Sequence, residues 1–286
     1  MQAAFVGWKA TTHGTTAGTD DPPKGSLSPM SYVDLHCHLL PGIDDGAATT
    51  ADALAHARRL HAEGVRDVAC TPHVKAACFP EVRLGEVADR VAALQSAIDA
   101  EGLRVRLHTG GEVAHEDVLA LDRDELELVA QGPAGARWIL LECPFAGIDD
   151  EFVAAAERLP RLGYGLVLAH PERARGVLED GRERLETLRA DGALLQVNVC
   201  SLLGNHGLEV QEIAAAIVRS GTAFCLASDG HPGTRDHTLQ LGFHLLLRAG
   251  ASSTQAWRLT QANPRFLLCS GIPGLRVERL EAAAIH

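Results

Sequence analysis

A parallel α/β fold closed into a barrel is the architecture this chain predicts, on three observations. Short apolar runs alternate with helical patterns from residue 32 onward. The 286 residues match the length of one large α/β barrel. Nearly every apolar run ends in a side chain that can hold a metal ion, as expected of strands whose C-termini share one face.

Residues 1–31 stand apart. Thr11 to Thr19 is rich in Thr and Gly and Asp20 to Pro29 in Pro, Ser and Asp, without apolar periodicity. They read as a disordered leader, leaving 32–286 as one domain. The strand candidates are Tyr32–Cys37, Val65–Thr71, Leu103–Thr109, Trp138–Cys143, Gly165–Ala169, Leu194–Val199 and Thr222–Ala227. A helix begins near Thr49 or Thr50, either of which can cap it, and places Ala53, Leu54, Ala57 and Leu60 on one face. Further helices are expected near Glu86–Ala100, Asp150–Leu162, Arg182–Ala190, Leu208–Ser220 and Thr238–Arg248. This alternation argues for right-handed βα units. A closed barrel suits their number better than an open doubly wound sheet, which is the alternative.

Composition narrows the function. Hydrophobic residues make up 46% and charged residues 22%, the balance of a globular chain. The formal charge of −11 disfavours nucleic acid and anionic membrane as partners. No run of about 18 apolar residues indicates a membrane span. Seven cysteines without a Cys-x-x-Cys pair read as reduced thiols, which places the protein in the cytoplasm.

The strand ends carry the chemistry. His36 and His38 are two apart on a strand, so both imidazoles point to one side, although the pair alone is weak evidence. Asp44 and Asp45 precede Gly46, where a turn or helix cap is the plainer explanation for either one. His73 follows Thr71-Pro72, where proline should stop the ladder. Glu112 follows Gly110-Gly111, whose missing side chains permit close approach. Glu142 closes an apolar run and needs a metal, a proton or an arginine to offset burial. His170 ends the fifth run with Arg173 just beyond, and Asp229 and His231 end the last. The set as a whole is hard to ascribe to chance.

The segments Asp34-Leu35-His36-Cys37-His38 through Asp44-Asp45-Gly46, Thr71-Pro72-His73, Gly111-Glu112, Glu142-Cys143-Pro144-Phe145, Ala169-His170-Pro171-Glu172-Arg173 and Ala227-Ser228-Asp229-Gly230-His231 resemble the polymerase and histidinol phosphatase (PHP) superfamily. More narrowly, they are similar to its bacterial manganese-dependent protein-tyrosine phosphatases of capsular and exopolysaccharide synthesis. The resemblance runs from about Val33 to Leu268. It implies a distorted (β/α)7 TIM-like barrel holding two or three divalent ions, Mn2+ above all. One ion would be held by His36, His38, Glu112 and Asp229. A second, sharing Glu112, would add Glu142 and His170. A third would take Asp45, His73 and His231, with Asp44 as the fallback for Asp45. Arg173 and Arg235 would grip the phosphoryl group and serve catalysis. Two positions depart from the family pattern: Val74 stands where a second histidine is common, and Gln196 to Ser201 match their counterpart loosely.

The implied reaction is hydrolysis of protein phosphotyrosine by a metal-activated hydroxide, with the tail of a polysaccharide-export tyrosine kinase as substrate. A tyrosyl leaving group has a pKa of about 10 and departs without a dedicated general acid. The cysteine route is excluded, since none of the seven cysteines has an arginine six positions on. The alternative is a small-molecule phosphomonoesterase such as a histidinol phosphatase, ahead of a PHP nuclease or a non-catalytic metal-binding module.

Overall fold

The structure, a computed structural model, describes residues 31–248 and 250–272. Of the expected leader, only Ser31 falls within the described residues. The strands are β1 (Tyr32–Cys37), β2 (Val65–Cys70), β3 (His73–Val74), β4 (Arg106–Thr109), β5 (Glu112–Ala114), β6 (Trp138–Glu142), β7 (Gly165–Ala169), β8 (Leu194–Asn198) and β9 (Ala223–Ala227). Every pairing of these strands is parallel, in sheets of order β1-β2-β4 and β3-β5-β6-β7-β8-β9.

The two sheets are one ring interrupted twice. Pro72 has no N–H to donate, so the ladder stops after Cys70, at the end of the expected strand, and resumes at His73 as β3, which was not expected. Beyond Gly110-Gly111, the next expected strand, seen as β4, is likewise followed by an additional one, β5. A Cβ on Gly111 would lie 2.8 Å from Val129 Cβ and 3.0 Å from Val74 Cγ2, so the close approach there requires glycine. At the other edge, a parallel bridge joins Cys37 to Gly230, and Asp229 N–H donates to the His36 carbonyl at 2.9 Å. The interrupted strands thus follow the expected seven-strand order, and β1 meets the end of β9.

Helices fill the connections near the expected positions. The first, Thr50–Ala62, is capped by Thr49 in a reciprocal pair with Asp52. Asp150–Arg161 carries Phe152, Ala155, Ala156 and Leu159 on its buried face. Short helices at His115–Val118, Arg123–Val129 and Val199–Leu203 have too few turns to show the period that sequence analysis needs, and the helical run from Ser253 to Cys269 has a π-helical middle, Arg258–Ala262, that breaks it.

Two buried clusters result. The larger packs helices against the sheet's outer face. The smaller joins Val33, Leu35, Trp138, Leu140, Val167, Ala169, Cys225 and Leu267. Continuing its two-residue period along β6 from Trp138 and Leu140 leads to Glu142. On β8 the same period links Leu194, which packs on the cluster, to Gln196 and Asn198. The inner face is therefore apolar at its floor and polar towards the strand C-termini.

Candidate metal centre

The ends of β1 and β9 are tied together before any ligand is considered. His38 N–H donates to the Gly230 carbonyl at 2.8 Å, and Cys37 N–H to Thr71 Oγ1 at 3.0 Å. The loop after His38 folds back so tightly that a Cβ on Gly46 would lie 2.1 Å from the His38 carbonyl oxygen. Among the described residues, the non-glycine residues with positive φ are His170 at 35° and Asp229 at 49°. Both end strands and both are expected ligands. Such backbone costs about 1–3 kcal/mol, a strain that tends to collect at functional sites.

Glu112 is the hub. Its Oε2 lies 3.1 Å from His73 Nδ1, 3.2 Å from His36 Nε2 and 3.4 Å from His38 Nε2, while Oε1 pairs with His170 Nε2 at 2.7 Å. Yet Oε2 is buried and accepts no hydrogen bond of acceptable geometry, and His73 Nδ1 and His170 Nδ1 are likewise buried and unpartnered. Buried polar atoms are seldom left so, and two of these, Glu112 Oε2 and His73 Nδ1, face each other at 3.1 Å.

A buried relay decides which nitrogen of His36 faces inward. The Asp229 carboxylate only accepts, so Asn198 Nδ2 must be the donor in their 2.8 Å contact. Asn198 Oδ1 then accepts from Gln196 Nε2 at 2.7 Å, which turns Gln196 Oε1 towards His36 Nδ1 at 3.0 Å. His36 therefore donates from Nδ1. His38 does the same, its Nδ1 lying 2.7 Å from Asp44 Oδ2. In neutral form both rings present bare Nε2 lone pairs, 3.2 Å apart. Only a cation relieves that arrangement, and an outward N–H held by a carbonyl or carboxylate is the usual support of a metal-ligating histidine.

The electrostatics agree. Burial pushes His36 down, but the Glu112 and Asp229 carboxylates outweigh it and raise its pKa. His38 is raised well above its usual value against the same burial penalty, by hydrogen bonds to Asp229, Asp44 and Glu112. Burial would raise Glu112 and Asp229, yet the facing imidazoles hold both carboxyls well below the usual range. Protons and a divalent ion are thus alternative occupants of one negative pocket.

Each expected residue can now be placed. Donor atoms within 4.8 Å of one another form four groups: His38, Asp45, His73 and His231; His36, His38 and Asp229; His36, Glu112 and His170; His73, Glu112 and Glu142. The grouping differs from the expected allotment in linking His170 to His36 and Glu142 to His73, because Glu112 reaches both sides. Asp44 is absent from these groups: its carboxylate is spent on His38 Nδ1 and on the backbone N–H groups of Gly46 and His73. Asp45 Oδ1 instead meets His231 Nε2 at 3.1 Å and His73 Nε2 at 3.4 Å, and the hydrogen bond with His231 holds its pKa at about 2. Among the described residues Glu142 pairs with no arginine; Lys75 Nζ lies 2.9 Å from its Oε2.

The arginines flank one carboxylate. Arg173 Nη1 is 3.3 Å from Asp229 Oδ2, and its guanidinium lies 4.3 Å from the centre of the Phe145 ring. Arg235 Nη2 is 3.2 Å from Asp229 Oδ1 and packs on His231. Sequence reasoning missed Gln196, Asn198 and Lys75. The signal for the first two was present, as two polar residues at strand period inside an apolar run. For Lys75 there was none, since lysine in a loop is ordinary.

A parallel β/α-barrel frame with a histidine–carboxylate cluster at its strand C-termini defines the class, that of hydrolases built around a candidate polynuclear metal centre. Within it, the chain belongs to the capsular polysaccharide synthesis CpsB/CapC family, whose family model matches residues 32–268. The chain is 29% identical over 201 residues to the tyrosine-protein phosphatase YwqE of Bacillus subtilis, covering 70% of this chain and 77% of that protein. It is 27% identical over 199 residues to CapC of Staphylococcus aureus, covering 70% and 76%. Among solved structures it matches a chain from those of YwqE from Bacillus subtilis and CpsB from Streptococcus pneumoniae, described as unique metal-dependent tyrosine phosphatases. That match has a TM-score of 0.69 at 26% identity and covers 85% of this chain and 100% of the other.

Proposed function

We propose that the protein is a metal-dependent protein-tyrosine phosphatase of the cytoplasm, acting on the phosphotyrosine tail of an exopolysaccharide-export kinase, with Mn2+ as its metal in two or three ions per chain. The observation that carries this reading is the convergence on Glu112 of imidazole nitrogens that have no other cation to face. The ligands would be His36, His38, Glu112 and Asp229, then Glu142 and His170, then Asp45, His73 and His231. Mixed imidazole and carboxylate donors suit Mn, Fe or Zn, and carboxylate sharing leans towards Mn. Divalent ions bound there would supply an acidified water and charge stabilisation for the phosphoryl group.

The chain's own residues supply the rest. Arg173 and Arg235 are anchored to the two oxygens of one carboxylate, which pre-orients two guanidinium forks for an incoming phosphate. Phe145 is 49% exposed beside Arg173, an apolar face that an aryl ester can lie against once its phosphate is held. Gln196 and Asn198 keep His36 in one tautomer. The seven cysteines take no part, and the thiols of Cys37, Cys143 and Cys200 are pushed up by burial, the opposite of a nucleophile's need.

Metal-stripped protein given Mn2+ should release phosphate from a phosphotyrosyl peptide faster than from histidinol phosphate, leave single-stranded DNA intact, and ignore orthovanadate. Phosphate from none of the esters would overturn the reading, and preference for histidinol phosphate would move it to the small-molecule alternative.

A further inference from the structure

Among the groups that would seat ions, one already contains a cation. Lys75 stands two residues past His73, and its Nζ lies 2.9 Å from Glu142 Oε2. Glu142 belongs to the group it forms with His73 and Glu112. Its side chain is 7% exposed and that of Lys75 25%. A carboxylate that deeply placed needs a positive partner, and here the chain provides one, the Lys75 ammonium.

This contact differs in kind from the others in the cluster. The imidazoles around Glu112 and Asp229 can exchange a proton for a metal and stay where they are. An ammonium carries three donors and no lone pair, so it cannot ligate, and it repels a dication. The arginines on Asp229 are also cations, but they sit farther from their carboxylate, at 3.2 and 3.3 Å. Lys75 must leave before an ion can use Glu142 fully. Its four-carbon stem and partial exposure permit that movement.

We infer that Lys75 is an internal competitor for the Glu142 metal position, which makes that ion the weakest bound and most exchangeable of the set. The inference rests on the metal-dependent reading above and refines it: occupancy at Glu142 is set by ambient metal, while the remaining positions stay filled.

The test is a titration of the metal-stripped full chain with Mn2+, the free ion followed by its electron paramagnetic resonance signal, for wild type, Lys75→Met, Lys75→Arg and Glu142→Gln. Wild type should show one site weaker than the rest, Lys75→Met should tighten it by about tenfold while leaving the others within about twofold, and Lys75→Arg should keep it weak. Glu142→Gln should delete that site only. The unchanged strong sites, with circular dichroism, report that each variant is folded, and Lys75→Gln serves as a second neutral variant. Mn2+ binding by Lys75→Met indistinguishable from wild type would overturn the inference alone. So would equal tightening by Lys75→Arg, since bulk rather than charge would then be responsible. No Mn2+ bound by wild type at any position would remove the metal reading and the inference with it.

Discussion

His36, Glu112, His170 and Asp229 lie at 0–2% exposure, each set by a strand end or by a strained backbone turn. Asp45, at the other side of the same cluster, is 54% exposed and hangs from a loop. His73, at 13%, sits between these extremes, whereas His231 is as buried as the inner residues. In the inner half, hydrogen-bond relays through Gln196, Asn198 and Asp44 orient the rings before anything binds. In the outer half, His231 Nδ1 meets the Asp229 carbonyl at 3.0 Å and His73 stacks on Phe79, while the shared carboxylate, Asp45, comes from a loop. Buried charge is costly to leave uncompensated and solvated charge is cheap. The inner half should therefore hold its cation as part of the fold, and the outer half should hold its own less firmly, though still more firmly than the Glu142 position that Lys75 contests.

The largest effect should come from breaking the inner half. Asp229 contacts Asn198, both arginines, His36 and His38, so Asp229→Ala should cut phosphotyrosyl hydrolysis by about 10³-fold or more with the circular dichroism spectrum largely kept. His170→Ala should do the same. His170→Asn, which tolerates left-handed backbone, separates lost ligation from added strain. Near-normal rates in these variants would discredit the ligand set.

Asp45→Asn probes the outer half. It should lower activity by about 10- to 100-fold and remove one ion by elemental analysis, with stability unchanged. A loss as deep as that of Asp229→Ala, together with a lower melting temperature, would erase the distinction between the halves.

Gln196 meets one expected ligand residue, His36, and only at its outward Nδ1, so Gln196→Ala probes the relay alone. Metal affinity of the inner half should fall by about tenfold, and Gln196→Glu, which still accepts at Oε1, should recover part of it. An effect confined to the outer ion would contradict the relay.

The smallest effect separates acid loss of metal from acid loss of fold. His56, on the helix Thr50–Ala62, is buried and belongs to none of these groups, and burial lowers its pKa despite the opposing pull of Asp236. Its folded pKa is below the unfolded value of about 6.5, so the unfolded chain binds the proton first. Its contribution is complete above pH ~6.5 and is lost as pH falls towards the folded pKa, by at most about 1.4 kcal/mol per pH unit. Urea midpoints of metal-free wild type and His56→Gln at pH 7.5 and 5.5 check this; the variant should show the shallower dependence. Equal slopes would remove His56 as a source of acid sensitivity.

Much of the site was legible because its residues are marked by position along the chain. His36, Glu142, His170 and Asp229 each close or follow an apolar run, and parallel strands bring their C-termini to one face. What could not be read were choices made by contact. Asp44 and Asp45 are chemically identical neighbours. One turns onto His38 and the other towards His231 because Gly46 lets the loop fold against the His38 carbonyl. The breaks at Thr71-Pro72 and Gly110-Gly111 were visible, but not that the strands resume as β3 and β5, since a two- or three-residue segment carries no period.

From sequence alone came the order of the seven main strands, the acidic balance and the candidate ligands, all consequences of local periodicity and residue chemistry. Tertiary structure decided how Glu112 is shared, which tautomer His36 adopts, and that Lys75 rather than an arginine meets Glu142. Those outcomes depend on distances of about 3 Å between residues tens to hundreds of positions apart, and only the closed packing of the sheet sets such distances.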